Sequence, residues 1–426
     1  MMFRKYLIAA ALFVAMPGWL WAGGTGLYPL FSARTIGLNG LYFAGYDGVN
    51  SLNPAALGNL TGMGLTISGA DILDQQEFKG DKEGLFKAYR NDNISLSAGF
   101  FWNIQPGFSA ALTYQPYINY EVDWPFTIFR MQDSNAVILA FDMTNRIKAS
   151  AISPSVAYSL GSLTLGLSAN VYYVQQFSAF PLQNDRGRGD AAYQFEYDQN
   201  AWTYGFTLGV MADMTEDLRI GATLKSGFKA KLKGTAKSIM FADLDSTAYQ
   251  TDVSSEYSAP WVAGLGVVYR LKENMFLNAD VSYSLWGSIK KTMDFTLDNP
   301  VWQSGLSGSD SLVGINPSSI NLNYRNTISA GLGFEYSDGE GMAYRFGYRF
   351  SQSPNSNATY SMLFPGVDQH WFSFGIGYTG EGYTVDASLA YSLGVSKNIS
   401  SGSLPALEGK YSSSGIVPAV SIHFVL

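Results

Sequence analysis

The chain of 426 residues carries 27 basic against 34 acidic side chains, a net charge of −7, which speaks against a nucleic-acid binder. It contains no cysteine, which excludes a disulfide framework and thiolate chemistry, and only His370 and His423 supply imidazole. Charged residues make up 14% of the chain, well under the quarter or so usual in soluble domains, while aromatics reach 15% and glycines number 45.

Residues 1–22 read as a secretory signal. Arg4 and Lys5 give the positive start, Tyr6 to Met16 the apolar run, Pro17 and Gly18 the break, and Ala22 the end of a cleavage site with Leu20 at −3. The mature chain is then expected to begin at Gly23. The apolar run is too short for a retained anchor, and no later stretch is long and apolar enough to span a bilayer as a helix. An exported chain of this composition is expected to be all-β, a transmembrane antiparallel β-barrel, and a count of its alternating segments gives about 14 strands. A secreted soluble β-protein is the alternative.

Residues 23–61 lack the alternation of a strand. They carry Gly37 and Gly40, then Asp47, then Asn53-Pro54-Ala55. Asn53 suits an N-cap and Pro54 the first helical position, so a short helix is expected there. The segment reads as a plug, or hatch, held inside a barrel built by residues 62–426; an ordinary loop-to-helix start is the plainer reading. Asn-Pro-Ala in an aquaporin sense fails without spanning helices.

Segments with barrel rhythm fall near 62–72, 93–102, 107–117, 153–160, 163–176, 201–213, 217–230, 259–270, 275–288, 322–336, 342–351, 370–379, 383–395 and 416–426. In 342–351, Met342, Tyr344, Phe346, Tyr348 and Phe350 alternate with Ala343, Arg345, Gly347, Arg349 and Ser351. A slip of one residue would face Arg345 and Arg349 to lipid, at roughly 2–4 kcal/mol each near the midplane. Connections alternate short and long, as in outer-membrane barrels with short periplasmic turns and long external loops. The long ones are 73–92, 118–152, 177–200, 231–258, 289–321, 352–369 and 396–415. The chain ends on an apolar alternating strand closed by Leu426.

Loop 118–152 is unusually apolar: Trp124, Phe126, Ile128, Phe129, Met131, Val137, Ile138, Leu139, Phe141 and Met143. It reads as a capture surface for a hydrophobic substrate, or as packing of the loop onto the barrel rim or into lipopolysaccharide. Arg146 and Lys148 at its edge, and Arg325, Arg345 and Arg349, are candidate carboxylate contacts. Alternation turns Arg219, Lys225, Asp280, Arg325, Glu335, Arg345, Arg349 and Asp386 inward, where a pairing network that fixes the plug is the competing reading. Gly264-Leu265-Gly266 and similar pairs inside strands are expected to admit the plug or a ligand closely.

Four stretches carry a resemblance to a known family. They are the segment with Ala33, Gly37, Gly40, Asp47, Asn53, Pro54, Ala55 and Leu57; 216–234, EDLRIGATLKSGFKAKLKG; 264–287, with Asp280 and Trp286; and 345–378, RFGYRFSQSPNSNATYSMLFPGVDQHWFSFGIGY. Together they make the chain similar to the outer-membrane long-chain fatty-acid and hydrocarbon transporters of the FadL type (OMPP1/FadL/TodX), with Gly366 and Gln369 departing from the pattern. The resemblance implies fourteen strands, an N-terminal hatch, capture of hydrophobic molecules from outside, and release through a hatch rearrangement and a kinked strand. Asn53, Pro54 and Ala55 would belong to that gate.

The expected function is passive uptake of hydrophobic small molecules, long-chain fatty acids first, across the bacterial outer membrane. Uptake of aromatic hydrocarbons or alkanes, a general porin, and an outer-membrane lipid hydrolase using Asp368, His370 and Ser361 or Ser373 are the alternatives. No catalytic residue, metal or cofactor is expected. The expected surroundings are outer-membrane lipid, lipopolysaccharide and the barrel-assembly machinery, with the protein as a monomer and no nucleic acid.

Overall fold

The structure, a computed structural model, describes residues 32–45, 52–80, 84–89, 92–132, 135–184, 191–240, 248–300, 318–357, 360–400 and 408–425. Over 126–132 and 135–142 it describes the backbone alone. The proposed signal peptide, Asp47 and Leu426 lie outside the described residues.

Fourteen antiparallel strands form one closed sheet. They are β1 (Met63–Gly80), β2 (Asp92–Gln105), β3 (Phe108–Gln132), β4 (Asn135–Leu160), β5 (Leu163–Asn184) and β6 (Ala191–Asp213). Then come β7, in two pieces (Leu218–Lys225 and Phe228–Met240), and β8, also in two (Ala248–Ala259 and Val262–Lys272). β9 (Met275–Ser284), β10 (Thr327–Ser337), β11 (Met342–Ser351), β12 (Gln369–Gly380), β13 (Tyr383–Gly394) and β14 (Gly409–Val425) complete the sheet. Each strand pairs with its neighbour in sequence, and β14 closes on β1 from Gly64↔Val425 to Gly80↔Gly409. Closure leaves no sheet edge, the condition for a sheet to cross a bilayer.

The alternation read from the sequence is the observed facing. In β9, Leu277, Val281 and Tyr283 are exposed outward while Asn278, Asp280 and Ser282 are buried inward. In β11, Tyr344, Phe346 and Tyr348 face out and Arg345 and Arg349 face in. The outer wall therefore presents an apolar band with aromatic residues, as lipid requires.

The long connections differ from expectation. Most of 118–152, 177–200 and 231–258 is strand, not loop: β3 and β4 stay paired up to Gln132↔Asn135, and β5 and β6 up to Asn184↔Ala191. A β-bulge hides this in the sequence. Tyr117 is an extra residue between the pairs Pro116↔Ser150 and Ile118↔Ala149. The buried face therefore switches from Ala111, Thr113 and Gln115 to Ile118, Tyr120, Val122 and Trp124. At the other end, 322–326 is not strand; β10 begins at Thr327.

The same bulge bends β3 away from β2. Their pairing ends at Ala98↔Tyr114, although β1 and β2 stay paired up to Leu73↔Asp92. Above that point the gap beside β3 is bridged by one side-chain and one backbone hydrogen bond. Asn119 Nδ2 donates to Ser95 Oγ at 2.8 Å, and the Tyr89 amide donates to the Asp123 carbonyl at 2.6 Å.

Candidate functional site

The N-terminal segment lies inside the barrel. Helix α1 (Ala33–Gly37) is capped by Ser32, whose hydroxyl accepts from the Thr35 amide at 3.1 Å. The chain then turns at Asn39 and Gly40, both at positive φ (120° and 77°), a region that suits Gly40 and is tolerated by asparagine. A second buried piece follows at Pro54–Asn59, a 3₁₀ turn that Asn53 caps by accepting from the Ala55 amide at 3.0 Å.

Inward-facing glycines make room for it. A Cβ at Gly375 would crowd Gly37, one at Gly347 the Asn39 amide, one at Gly333 the Leu38 carbonyl, and one at Gly221 the Phe43 carbonyl. At Gly264 and Gly266 it would meet Phe43 and Ala44, and at Gly166 the Ala55 backbone. These positions form a track for a bare backbone, which is why glycine recurs inside otherwise good strands.

Charges and amides fasten the segment to that track. The Arg34 guanidinium makes two bonds to Glu335, at 2.8 and 3.1 Å. Arg345 bonds the same carboxylate and reaches Asp386 Oδ1 at 2.6 Å. Arg349 packs its guanidinium over Trp371, 5.0 Å from the ring centre, beneath Gly40. Asp280 accepts from the Phe43 amide at 2.9 Å, and Asn53 Nδ2 donates to the carbonyls of Phe43 (2.6 Å) and Val210 (3.2 Å). Asn53 thus ties both buried pieces to β6.

Above this polar half the interior becomes apolar. Ile118, Tyr120, Val122, Trp124, Met143 and Ile147 from the β3–β4 hairpin join Tyr172, Phe228, Tyr257 and Tyr411 in one cluster. Two external segments fold in over it. One brings Met293, Phe295, Leu297, Ile320 and Leu322, with Phe295 stacked on Tyr197 at 4.3 Å. The other brings Met362 and Leu363, whose carbonyls accept from Trp124 Nε1 and from the Tyr120 hydroxyl, each at 2.9 Å. Between them lies a cleft with about 480 Å³ of empty space, part of it open to solvent, lined by Ile118, Tyr120, Ile147, Tyr257, Trp286, Leu322, Tyr324 and Phe364. The enclosed part is about 30 Å³, room for one or two waters, so a larger molecule enters only as the two covering segments give way.

The sequence-derived site residues divide. Gly37, Gly40, Asn53, Pro54 and Ala55 come together in the buried segment. Trp124 lines the apolar core, whereas the side chains of Phe126, Ile128, Phe129, Val137, Ile138, Leu139 and Phe141 lie outside the description. Arg345 and Arg349 face inward but serve the N-terminal segment. Arg146 and Lys148 face outward and share Glu121, at 2.6 and 3.2 Å, so they do not line the cleft. Arg325 lies beyond the barrel wall, bonded to Asp368 at 3.2 Å. Nearby, Lys397 donates to the Asn355 carbonyl at 2.7 Å, and burial, helped by Arg325, holds its ammonium below the usual lysine range.

Lys225 stands out instead. Its ammonium lies 3.6 Å over the Tyr117 ring and 5.8 Å from the Tyr172 ring. No carboxylate of the described residues pairs with it. The hydrolase arrangement does not assemble. His370 faces outward and hydrogen-bonds Tyr348 at 2.8 Å, Asp368 holds Arg325, and Ser373 faces inward, donating to the Gly37 carbonyl at 3.2 Å.

A closed barrel with an apolar outer band and a buried N-terminal segment defines a class, the plugged outer-membrane barrels. The chain belongs to the outer membrane protein transport protein family (OMPP1/FadL/TodX), whose sequence profile matches residues 48–425. It is a protein of the outer membrane. Solved structures of like fold include a Pseudomonas aeruginosa FadL homologue (TM-score 0.73, 17% identity, covering 96% of this chain and 100% of that one). The Pseudomonas putida toluene transporter TodX (TM-score 0.74, 16%, 94% and 99%) and the Ralstonia pickettii toluene transporter TbuX (0.70, 18%, 94% and 99%) are similar too. A putative outer membrane protein of Neisseria meningitidis serogroup B is 26% identical over 204 residues, 45% of this chain and 42% of that relative.

Proposed function

We propose that the protein carries hydrophobic small molecules inward across the outer membrane, long-chain fatty acids foremost. The observation that carries this reading is the apolar, aromatic-lined cleft at the outer end, separated from the periplasmic end by the buried segment that Asn53 fastens. A water-filled porin has no use for either. Residues 23–61 act as the hatch in this reading, and Gly37, Gly40, Asn53, Pro54 and Ala55 as its gating part. The parting of β2 from β3 at the Tyr117 bulge supplies a path sideways.

Lys225 favours a substrate with a carboxylate. Tyr117, over which it lies, packs on Phe228 with ring centres 6.0 Å apart, and Phe228 packs on Tyr257 of the cleft at 6.4 Å. In this reading the aromatic row Tyr117, Phe228 and Tyr257 joins the cleft to this ammonium. The magnitude also asks for a moving part. Burying fifteen methylenes is worth about 12 kcal/mol at ~0.8 kcal/mol each, too deep a site to empty unless the pocket is spoiled.

Purified protein in liposomes tests the proposal with labelled oleate, labelled toluene and glucose. Wild type is expected to pass oleate, Asn53→Ala to slow it, and Lys225→Met to slow oleate about tenfold without slowing toluene, the loss expected for one charge-assisted hydrogen bond. Passage of toluene alone would move the assignment to hydrocarbons, in line with the toluene transporters TodX and TbuX. Free passage of glucose would establish a porin.

A further inference from the structure

The outer wall over β4 to β7 carries a second feature, independent of the cleft. Tyr173 and Trp202 face out side by side, with ring centres 4.9 Å apart, and Trp202 is 58% exposed. Exposed Trp and Tyr mark the level where hydrocarbon gives way to head groups. One step outward, a hydrogen-bonded row runs Lys148↔Gln175, Gln175↔Asn200, Asn200↔Lys233. Its two ammonium groups are three strand spacings apart, roughly 14 Å, with two carboxamide donors between them.

β7 extends this row toward the membrane, Lys231 and Lys229 lying one and two steps nearer its core than Lys233. Lys229, Lys231 and Lys233 alternate along its outward face, and all three are exposed. Their partners on β8 are Ser258, Glu256 and Ser254. Among the described residues of this level, Lys148 and the three lysines meet only Glu121, paired with Lys148, and Glu256. Arg146 lies one row further out, in line with Asp198 and Asp252, which flank Thr235. In a chain of net charge −7, cations therefore concentrate on the strip that borders the aromatic level.

We infer that this strip binds the phosphorylated head group of an outer-leaflet lipid, lipopolysaccharide, whose acyl chains lie against Tyr173, Trp202 and Tyr204. Two observations select a lipid over a protein partner. The cations are continuous with the lipid-facing band, and Trp202 and Tyr204 (71% exposed) are left for apolar chains to cover. Lysines serve here as point charges for phosphate, and the carboxamides donate between them.

The test measures binding of lipid A to the detergent-solubilised full chain, with dephosphorylated lipid A as the second arm. Each lysine near an anionic surface is worth about fivefold in affinity, so Lys229→Gln/Lys231→Gln/Lys233→Gln is expected to lose about 100-fold for lipid A. It should lose little for the dephosphorylated form. The triple Lys→Arg variant should retain binding, which separates charge from folding, and heat-modifiable gel mobility reports that each barrel is closed. Unchanged affinity in the glutamine variant, or equal binding of both lipids by wild type, would overturn the inference. So would displacement of lipid A by millimolar inorganic phosphate, which would reduce the strip to a simple anion site.

Discussion

At the scale of single residues, Arg345 is held between two carboxylates inside the barrel. It is 3% exposed and joins Glu335, itself bonded to Arg34, to Asp386. Removing one member of such a cluster leaves buried charge without compensation, at about 3–5 kcal/mol. Arg345→Ala is therefore expected to lower the urea midpoint of the folded barrel markedly. Adding Glu335→Gln and Asp386→Asn in the same chain should recover much of the loss. The glycine track makes a different prediction. Gly347→Val drives methyl groups into the backbone of Leu38 and Asn39. The N-terminal segment should become protease-sensitive while the gel mobility of the closed barrel stays as in wild type; protection equal to wild type would mean that the segment is not seated there.

At the scale of elements, the decisive feature is the bulge at Tyr117. One extra residue reverses the facing of the upper half of β3, turns Ile118, Tyr120, Val122 and Trp124 inward, and ends pairing with β2. The seam above is bridged by Ser95 and Asn119, whose side chains are in hydrogen-bond contact. The chain has no cysteine, so Ser95→Cys/Asn119→Cys would form a clean cross-link. If substrate leaves sideways between β2 and β3, oxidation of this variant should stop oleate uptake and dithiothreitol should restore it. Uptake indifferent to oxidation would send the path down through the hatch. β7 is also interrupted, at Ser226-Gly227, where the Ser226 hydroxyl accepts from the Phe206 amide at 2.9 Å in place of a ladder bond. Lys225, beside Tyr117, is the last residue before that break.

At the scale of the whole molecule, closure and plugging are separate. β1–β14 pairing begins at Gly64, beyond the buried segment, so the barrel does not need that segment for its ladder. A chain lacking residues 23–61 but keeping residues 1–22 is expected to assemble into a closed barrel and to conduct ions in planar bilayers, where the intact protein is silent. Failure of the truncated chain to assemble would make the segment part of the folding unit and move the proposed domain boundary.

Much of this was present in the linear pattern. Strand number, the inward or outward facing of residues in uninterrupted strands such as β9 and β11, and the short-turn end follow from alternation, because lipid penalises every misfaced charge and fixes the register locally. Asn53-Pro54-Ala55 announced its own capped turn, and Gly264 and Gly266 announced a close approach. Partners across the barrel were not legible. Arg345 and Arg349 read as open to a carboxylate substrate, yet Glu335, Asp386 and Trp371 on other strands already occupy or flank them. Arg146 and Lys148 read as part of a loop, yet lie on the outward face of an extended hairpin whose phase had been shifted by one residue. Sequence alone determined the class of architecture, since a two-residue period and turn chemistry are local properties. The tertiary structure decided which charges are already paired, where the wall parts, and that Lys225 stands alone among aromatic rings. Each of those depends on strands brought together only when the barrel closes.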